Sequence, residues 1–304
     1  MVSVAMDPQP LPNLLVIGFQ KCGTSSLHYY LGLHPEIAMS APKELNFFSD
    51  EPELGGLPGI PAEERETIAP QIGNWRRGTE WYASHFDGGR RVQGESSPVY
   101  AAPWHPRAAE RALATVPEAR LIALVRDPFE QIPSAWLHAR GLGIERRPLE
   151  RAVLARGRYI ERVRYRARLE PFVESFGRER LLVVSQPELL SRRRDAMRRA
   201  FQFLGVDPGF WSQRFERMRH VSAHKTSSRR VLERLQHSQV ARPAFRLPAE
   251  AKWMIERGIS RRQGSGSEAP RLPADTRELV AEQLTPDVRW LSVEFGVDTA
   301  GWLR

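Results

Sequence analysis

Short apolar runs alternate with amphipathic stretches along most of this chain. Residues 14–18, LLVIG, form a continuous apolar run ended by glycine, the pattern of a strand buried on both faces. Thr24 to Leu33 follows as a helix. The stretch HPEIAMSAPKELNFF (34–48) reads as a short strand, a loop at Pro42 and a turn anchored by aromatic residues. RRVQGESSPVY (90–100) is a short strand ending at a polar cluster, with Gly94 allowing a sharp turn and Glu95 just beyond the strand. A helix near 106–116 leads to ARLIALVRDP (119–128), the clearest second buried strand. Helices are expected at 128–140 and 158–176, a third buried strand at 180–184 (RLLVV), a helix at about 187–204 and a C-terminal helix near 275–295. Strands alternating with helices predict an α/β fold of three layers, a mainly parallel central sheet covered on both faces.

Proline, glycine and charge punctuate this pattern. Residues 1–12 read as a flexible N-terminal arm, 51–79 as a surface excursion, and RRQGSGSEAPRLP (261–273) as a flexible loop or linker. There is no internal repeat, so residues 13–304 are expected to form a single domain. Pro133 falls inside the helix begun at Pro128, where it removes an N–H and predicts a kink.

Of the 304 residues, 41% are hydrophobic, enough for a sizeable core, yet no run approaches the 18 apolar residues of a membrane span. The first residues lack a basic stretch followed by an apolar one, so no secretory leader is expected. A single cysteine, Cys22, rules out an internal disulfide framework and a multi-cysteine metal site. The expectation is a soluble, cytoplasmic protein. The net charge of +9 points to anionic partners, or else to a solvated arginine-rich face. Only Lys21, Lys43, Lys225 and Lys252 are lysines among 45 basic residues. Where the chain keeps a lysine, a compact ammonium rather than a planar fork is required.

Two of those lysines lie near the first strand. Gly18 and Gly23 have the spacing of a phosphate-binding loop, but Thr24 follows Gly23 where a nucleotide triphosphatase carries its lysine. The lysine stands inside the loop, at Lys21. A glycine-bearing turn feeding a helix N-terminus makes an anion site, and Thr24, Ser25 and Ser26 add hydroxyl donors. A magnesium-dependent site also needs a carboxylate after a strand. The candidate, Asp127, opens the sequence DPFE, where Asp at N-cap, Pro at N1 and Glu at N3 predict a helix start instead. No metal ligand set is evident, so protein cations alone are expected to neutralise the guest. That suits a transferred group less charged than phosphoryl, such as sulfuryl.

Five stretches in order carry a family resemblance: GFQKCGTSSLHYYLGLHP (18–35), KELNFF (43–48), GESSPVY (94–100), LVRDPFEQIPSAW (124–136) and YRARLEPFVESFGRERLLVV (165–184). They resemble sulfotransferases that use 3′-phosphoadenosine 5′-phosphosulfate (PAPS), a group including heparan sulfate sulfotransferases and many bacterial homologues. The resemblance implies a P-loop-like fold, PAPS as donor with 3′,5′-ADP as product, and no metal requirement. It implies catalytic roles for Lys21, Lys43 and Glu95. Lys21 would neutralise charge on the leaving oxygen, with Lys43 assisting, and Glu95 would be the general base. It further implies cofactor contacts from Lys21, Cys22, Gly23, Thr24, Ser25 and Ser26, and a 3′-phosphate site at Arg126 and Ser134. The family's late loop often reads Lys-Gly-Arg; the nearest stretch here, Ser227-Ser228-Arg229, departs from it and lacks the Gly, and Ser227 and Arg229 are the cofactor contacts it would supply. The acceptor would be a hydroxyl or amine on a small molecule or glycan, shaped by residues 51–89 and 141–165, with no nucleic-acid partner. His138 is a weaker candidate at the acceptor side; His28 and His34 read as helix-end or surface groups. Two other classes fit the same sequence less fully: a magnesium-dependent nucleotide phosphotransferase with a degenerate loop, and an arginine-rich nucleic-acid binder.

Overall fold

The computed structural model describes residues 10–49, 74–141, 145–155, 158–216 and 270–304. Five strands run parallel in one sheet: β1 (Leu14–Gly18), β2 (Ile37–Met39), β3 (Val92–Ser96), β4 (Arg120–Val125) and β5 (Leu181–Ser185), in the order β2-β3-β1-β4-β5. Every residue of β1 is buried, and every residue of β4 after Arg120. This is why both read as unbroken apolar runs: a parallel strand has no solvent face. Leu14 pairs with Gly94 on one side and Arg120 on the other.

The helices of the described residues that flank the sheet are α1 (Thr24–Leu31), α2 (Gly78–Ala83), α3 (Ala108–Thr115), α4 (Pro128–Gly141), α5 (Leu149–Leu154), α6 (Arg158–Glu161), α7 (Tyr165–Phe176), α8 (Gln186–Ser191), α9 (Arg193–Leu204) and α10 (Ala274–Phe295). None of them is long and apolar enough to cross a membrane. The resulting α/β sandwich agrees with the expected class. Three local expectations change, and one helix continues through its proline. The helix expected at 158–176 breaks at 162–164, where Val163 turns into the core and its carbonyl accepts from Tyr165 N–H. The helix expected at 187–204 breaks at Arg192, whose φ of −121° is not helical. α4 runs unbroken through Pro133, which forfeits one bond, to the Phe129 carbonyl, while flanking turns hold the helix. Helices α2 and α5 occupy stretches read as loops. Residues 51–73, and 261–269 of the expected linker, lie outside the described residues.

Strand order decides where a ligand can sit. From β1 the chain moves to β2 on one side of the sheet; from β4 it moves to β5 on the other. Loops leaving the carboxyl ends of β1 and β4 therefore diverge, and the crevice between them is the topological switch point of such a sheet. Residues 19–23 and 126–127 line it.

Gly94 sits in the middle of β3, not at the sharp turn its sequence context suggests. A Cβ there would lie 2.7 Å from Met39 Sδ and 3.0 Å from Leu14 Cδ2. The glycine lets β3 lie between its two neighbours without a side chain in the way. Gly94→Ala is expected to destabilise the fold by roughly 1–3 kcal/mol through overpacking. A urea unfolding midpoint equal to wild type would show that Met39 swings aside at no cost.

Candidate active site

The loop after β1 is held from beneath. Phe19 N–H donates to the Leu124 carbonyl of β4 at 2.8 Å, which ties the two strand ends of the switch point together. The hydroxyl of Tyr165, fully buried on α7, lies within hydrogen-bond reach of Gln131 Oε1 and the Arg126 carbonyl, has one proton to give to either, and accepts from Arg126 N–H at 3.2 Å, while Gln131 Nε2 donates to the Gln20 carbonyl at 2.9 Å. One tyrosine thus braces both sides of the crevice. Its ring also meets Phe19 edge-on at 4.9 Å.

Within the loop, Lys21 has φ 68° and Gly23 has φ 98°. Left-handed backbone is ordinary for glycine and costly for lysine, and such strain concentrates at functional positions. Gly23 is the N-cap of α1 and offers no side-chain cap. The first N–H groups of α1 therefore face the crevice as an anion-binding edge. Thr24 and Ser26 are buried and Ser25 partly so. Cys22 is fully buried; burial pushes its thiol up to about 12 although Arg126, Tyr165 and Lys21 pull the other way. Its side chain is packing, and only its backbone can meet a ligand.

Arg126 enters from the other side. Its Nη1 donates to the Lys21 carbonyl at 3.5 Å, and its Nε and Nη2 grip Glu130 at 3.0 and 2.8 Å. Asp127 is the cap foreseen in the sequence: its Oδ1 accepts from Phe129 N–H at 2.9 Å and from Leu303 N–H at 3.4 Å. The expected capping box is only half formed, because Glu130 turns to Arg126. Ser134 is buried on α4, two turns further on. Ser227 and Arg229 lie outside the described residues.

The third wall is the segment 43–48, joined to the end of β3. Glu44 N–H donates to the Ser96 carbonyl at 3.1 Å, and Ser96 Oγ shares a 2.9 Å hydrogen bond with His28 Nδ1 of α1. Lys43 and Glu44 form an ion pair with side chains 20% and 38% exposed. Burial, then the Lys43 charge, lowers His28 to about 3, so the ring is neutral at physiological pH. Glu44 and Asn46 have φ 68° and 51°. Three of the four non-glycine residues with positive φ among those described are thus Lys21, Glu44 and Asn46, on the two loops of this site.

Glu95 is not beyond β3 but inside it, paired with Leu15. Consecutive strand residues face opposite ways. Ser96 meets α1, so Glu95 points into an aromatic layer and is fully buried. Its Oε2 accepts from Ser97 Oγ at 3.2 Å and its Oε1 from Tyr100 OH. The Tyr82 hydroxyl stands on the same side, close enough for the carboxylate to push its pKa up, but it makes no hydrogen bond of ordinary geometry. Burial pushes Glu95 up to about 7 against the pull of these hydroxyls. The structure therefore brings Lys21, Lys43 and Arg126 around the crevice and sets Glu95 behind the wall, with no surface open to an acceptor. The carboxylate of the 43–48 wall that is open to solvent is Glu44, partly exposed, which the sequence reading passed over although it stands beside Lys43; its left-handed backbone has no sequence signature. Of the histidines, His34 is a core residue, bonded to the Asp207 carbonyl at 3.1 Å and packed on Phe201, not a surface group. His138 is exposed on α4.

Comparison with known proteins agrees with this geometry. A family model described as "Sulfotransferase family" matches residues 12–213. The chain is 34% identical over 131 residues to the membrane-associated sulfotransferase kil1 of Dictyostelium discoideum, covering 41% of this chain and 22% of that protein. It is 25% identical over 250 residues to the bifunctional heparan sulfate N-deacetylase/N-sulfotransferase 4 of Mus musculus, covering 68% of this chain and 25% of that protein. The chain thus spans about a quarter of the length of these relatives. A sulfotransferase structure from Alicyclobacillus acidocaldarius shares the fold with a TM-score of 0.65 at 24% identity, over 97% of this chain and 100% of that one.

The Glu95 environment gives a pH signature. Its folded pKa lies above the ordinary 4.5, so between pH 4.5 and 7 the folded state holds a proton that the unfolded state has released. Stability from this group is present below 4.5 and is lost as pH rises through 7. Glu95→Gln removes the dependence, so variant stability relative to wild type should climb by about 1–3 kcal/mol across that window. Parallel unfolding curves at pH 5 and pH 8, with a constant difference, would mean the carboxyl is not desolvated.

Proposed function

Since the chain belongs to the sulfotransferase family, we propose that it moves a sulfuryl group from PAPS to a hydroxyl or amine of a small-molecule or glycan acceptor. The observation that carries this reading is the switch-point loop, where left-handed Lys21 and Gly23 precede an uncapped helix N-terminus and Arg126 braces the Lys21 carbonyl. This donor set fits a phosphosulfate: backbone N–H groups, three hydroxyls and fixed cations. Bound there, PAPS supplies the sulfuryl group and a phosphate as leaving group.

The chain's own residues do the rest. Lys21 holds the donor's phosphosulfate and neutralises charge on the leaving oxygen, a task for a compact ammonium. Thr24, Ser25 and Ser26 and the α1 N–H groups fix the phosphate end. Arg126 and Ser134 take the 3′-phosphate, with Ser227 and Arg229 completing the set; Arg126 then shares its guanidinium between Glu130 and phosphate. Lys43 adds positive charge beside the line of transfer. Glu44 receives the acceptor proton, because it is the carboxylate of the 43–48 wall that is open to solvent and Glu95 has no open oxygen.

A small cavity of about 20 Å³ beside the loop is lined by Phe19, Gln20, Pro98, Trp104, Gln131 and Arg162. Arg162 stacks over Trp104 at 4.4 Å and reaches Gln20 Oε1 at 3.4 Å. The guanidinium covers that ring face, and the net charge of +9 favours an acidic acceptor, so an acidic glycan is our choice. The heparan sulfate enzymes among the relatives support that choice.

Calorimetry tests the donor site. With EDTA present, 3′,5′-ADP should bind more tightly than 5′-AMP. Arg126→Ala should weaken 3′,5′-ADP by roughly 1.5–3 kcal/mol and weaken 5′-AMP far less. Equal binding of both nucleotides by the wild type would remove the 3′-phosphate site. In a transfer assay, Glu44→Gln should keep 3′,5′-ADP affinity and cut turnover by on the order of 10²–10⁴. Turnover near wild type would assign the base elsewhere.

A further inference from the structure

The buried carboxylate has a geometry that proton abstraction does not use. Ser97 Oγ donates to Glu95 Oε2 at 3.2 Å and accepts from Asn46 N–H at 3.0 Å. Tyr100 OH donates to Glu95 Oε1 and accepts from Phe47 N–H at 2.9 Å and Phe48 N–H at 3.4 Å. Each hydroxyl has one proton and two lone pairs. An ionised carboxylate can only accept, so both protons must point at it. Both sets of lone pairs are then forced toward the backbone of 46–48. A single buried anion thereby sets the direction of two relays and fastens three consecutive N–H groups.

The segment fastened in this way carries Lys43 and Glu44, and two of its residues, Glu44 and Asn46, hold left-handed backbone. Such backbone persists only where its surroundings over-determine it. Around it the aromatic layer closes: Phe47 stacks on Tyr82 at 4.2 Å and 5°, and Phe48 meets both Tyr82 and Tyr100 at 5.3 Å. Packing alone sets the depth of the loop. The hydroxyl relays set its rotation, hence where Lys43 and Glu44 point.

We propose that Glu95, Ser97 and Tyr100 are positioning residues that lock the 43–48 loop in its catalytic rotation. The role rests on the sulfotransfer reading above only for its kinetic consequence; the locking itself is a property of the fold.

The test uses Tyr100→Phe and Glu95→Gln in the full chain at pH 8. Tyr100→Phe keeps the ring and deletes one relay. Glu95→Gln keeps the shape and turns one acceptor into a donor, which clashes with one hydroxyl proton. Amide hydrogen exchange is read at 44–48 and, as an internal reference, in β4 and α1. Tyr100→Phe should speed exchange at Phe47 and Phe48 about tenfold or more, with β4 and α1 unchanged. It should leave 3′,5′-ADP affinity within about twofold while lowering kcat, a split that a global loss of stability would not give. Should Glu95→Gln fail to fold, Tyr100→Phe and Ser97→Ala decide alone. Protection at 46–48 equal to wild type in both would overturn the proposal, as would exchange rising equally in β4. A wild type that does not bind 3′,5′-ADP would count against the sulfotransfer reading, and the exchange arm would still decide the locking.

Discussion

An anionic group held without water needs a floor of donors and cations that cannot move away from it. This chain builds that floor at one place, where β1 hands over to α1 and β4 ends alongside. The Phe19 to Leu124 hydrogen bond ties the two strand ends, and Tyr165 braces both through Gln131 and the Arg126 carbonyl. With the backbone fixed, Lys21 can be held in a left-handed conformation that a free loop would not keep. The position of the lysine inside the loop follows. It is aimed by backbone strain from within the turn, and the residue after Gly23 is free to be a hydroxyl.

The three walls of the crevice come from distant parts of the sequence and are joined by few contacts. Arg126 reaches the Lys21 carbonyl across the switch point, and Glu44 is pinned to the end of β3 through the Ser96 carbonyl. His28 of α1 meets Ser96 Oγ, so helix, strand and loop share one polar junction. Parallel topology makes this possible, because all strand ends that carry function emerge on the same edge. The sulfotransferase fold thus brings the Lys21 loop, Arg126 and the 43–48 segment to one edge of the sheet.

The parts of the fold legible in the sequence were those with local causes. β1 and β4 showed themselves as apolar runs because both faces of each strand are buried, and DPFE announced α4 because capping chemistry is local. The glycine-bearing loop between β1 and α1 was legible for the same reason. What the sequence did not show depends on distant partners. The break at Arg192 has neither glycine nor proline to mark it. Gly94 looked like a turn residue and is instead a point of close strand approach, a fact set by Met39 and Leu14. Glu95 looked like an exposed strand-end group. One further residue of β3, together with the alternation of the strand, turned it inward. Tyr82, which helps to bury it, came from a stretch read as an acceptor-shaping loop.

The most direct test of the account is product analysis. The enzyme is incubated with PAPS and a mixture of desulfated acidic glycans and simple phenols in EDTA, and products are followed by mass spectrometry together with released nucleotide. The account predicts one sulfated acceptor class, formed in step with 3′,5′-ADP. Intact PAPS after prolonged incubation, alongside phosphoryl transfer from ATP once magnesium is restored, would contradict it.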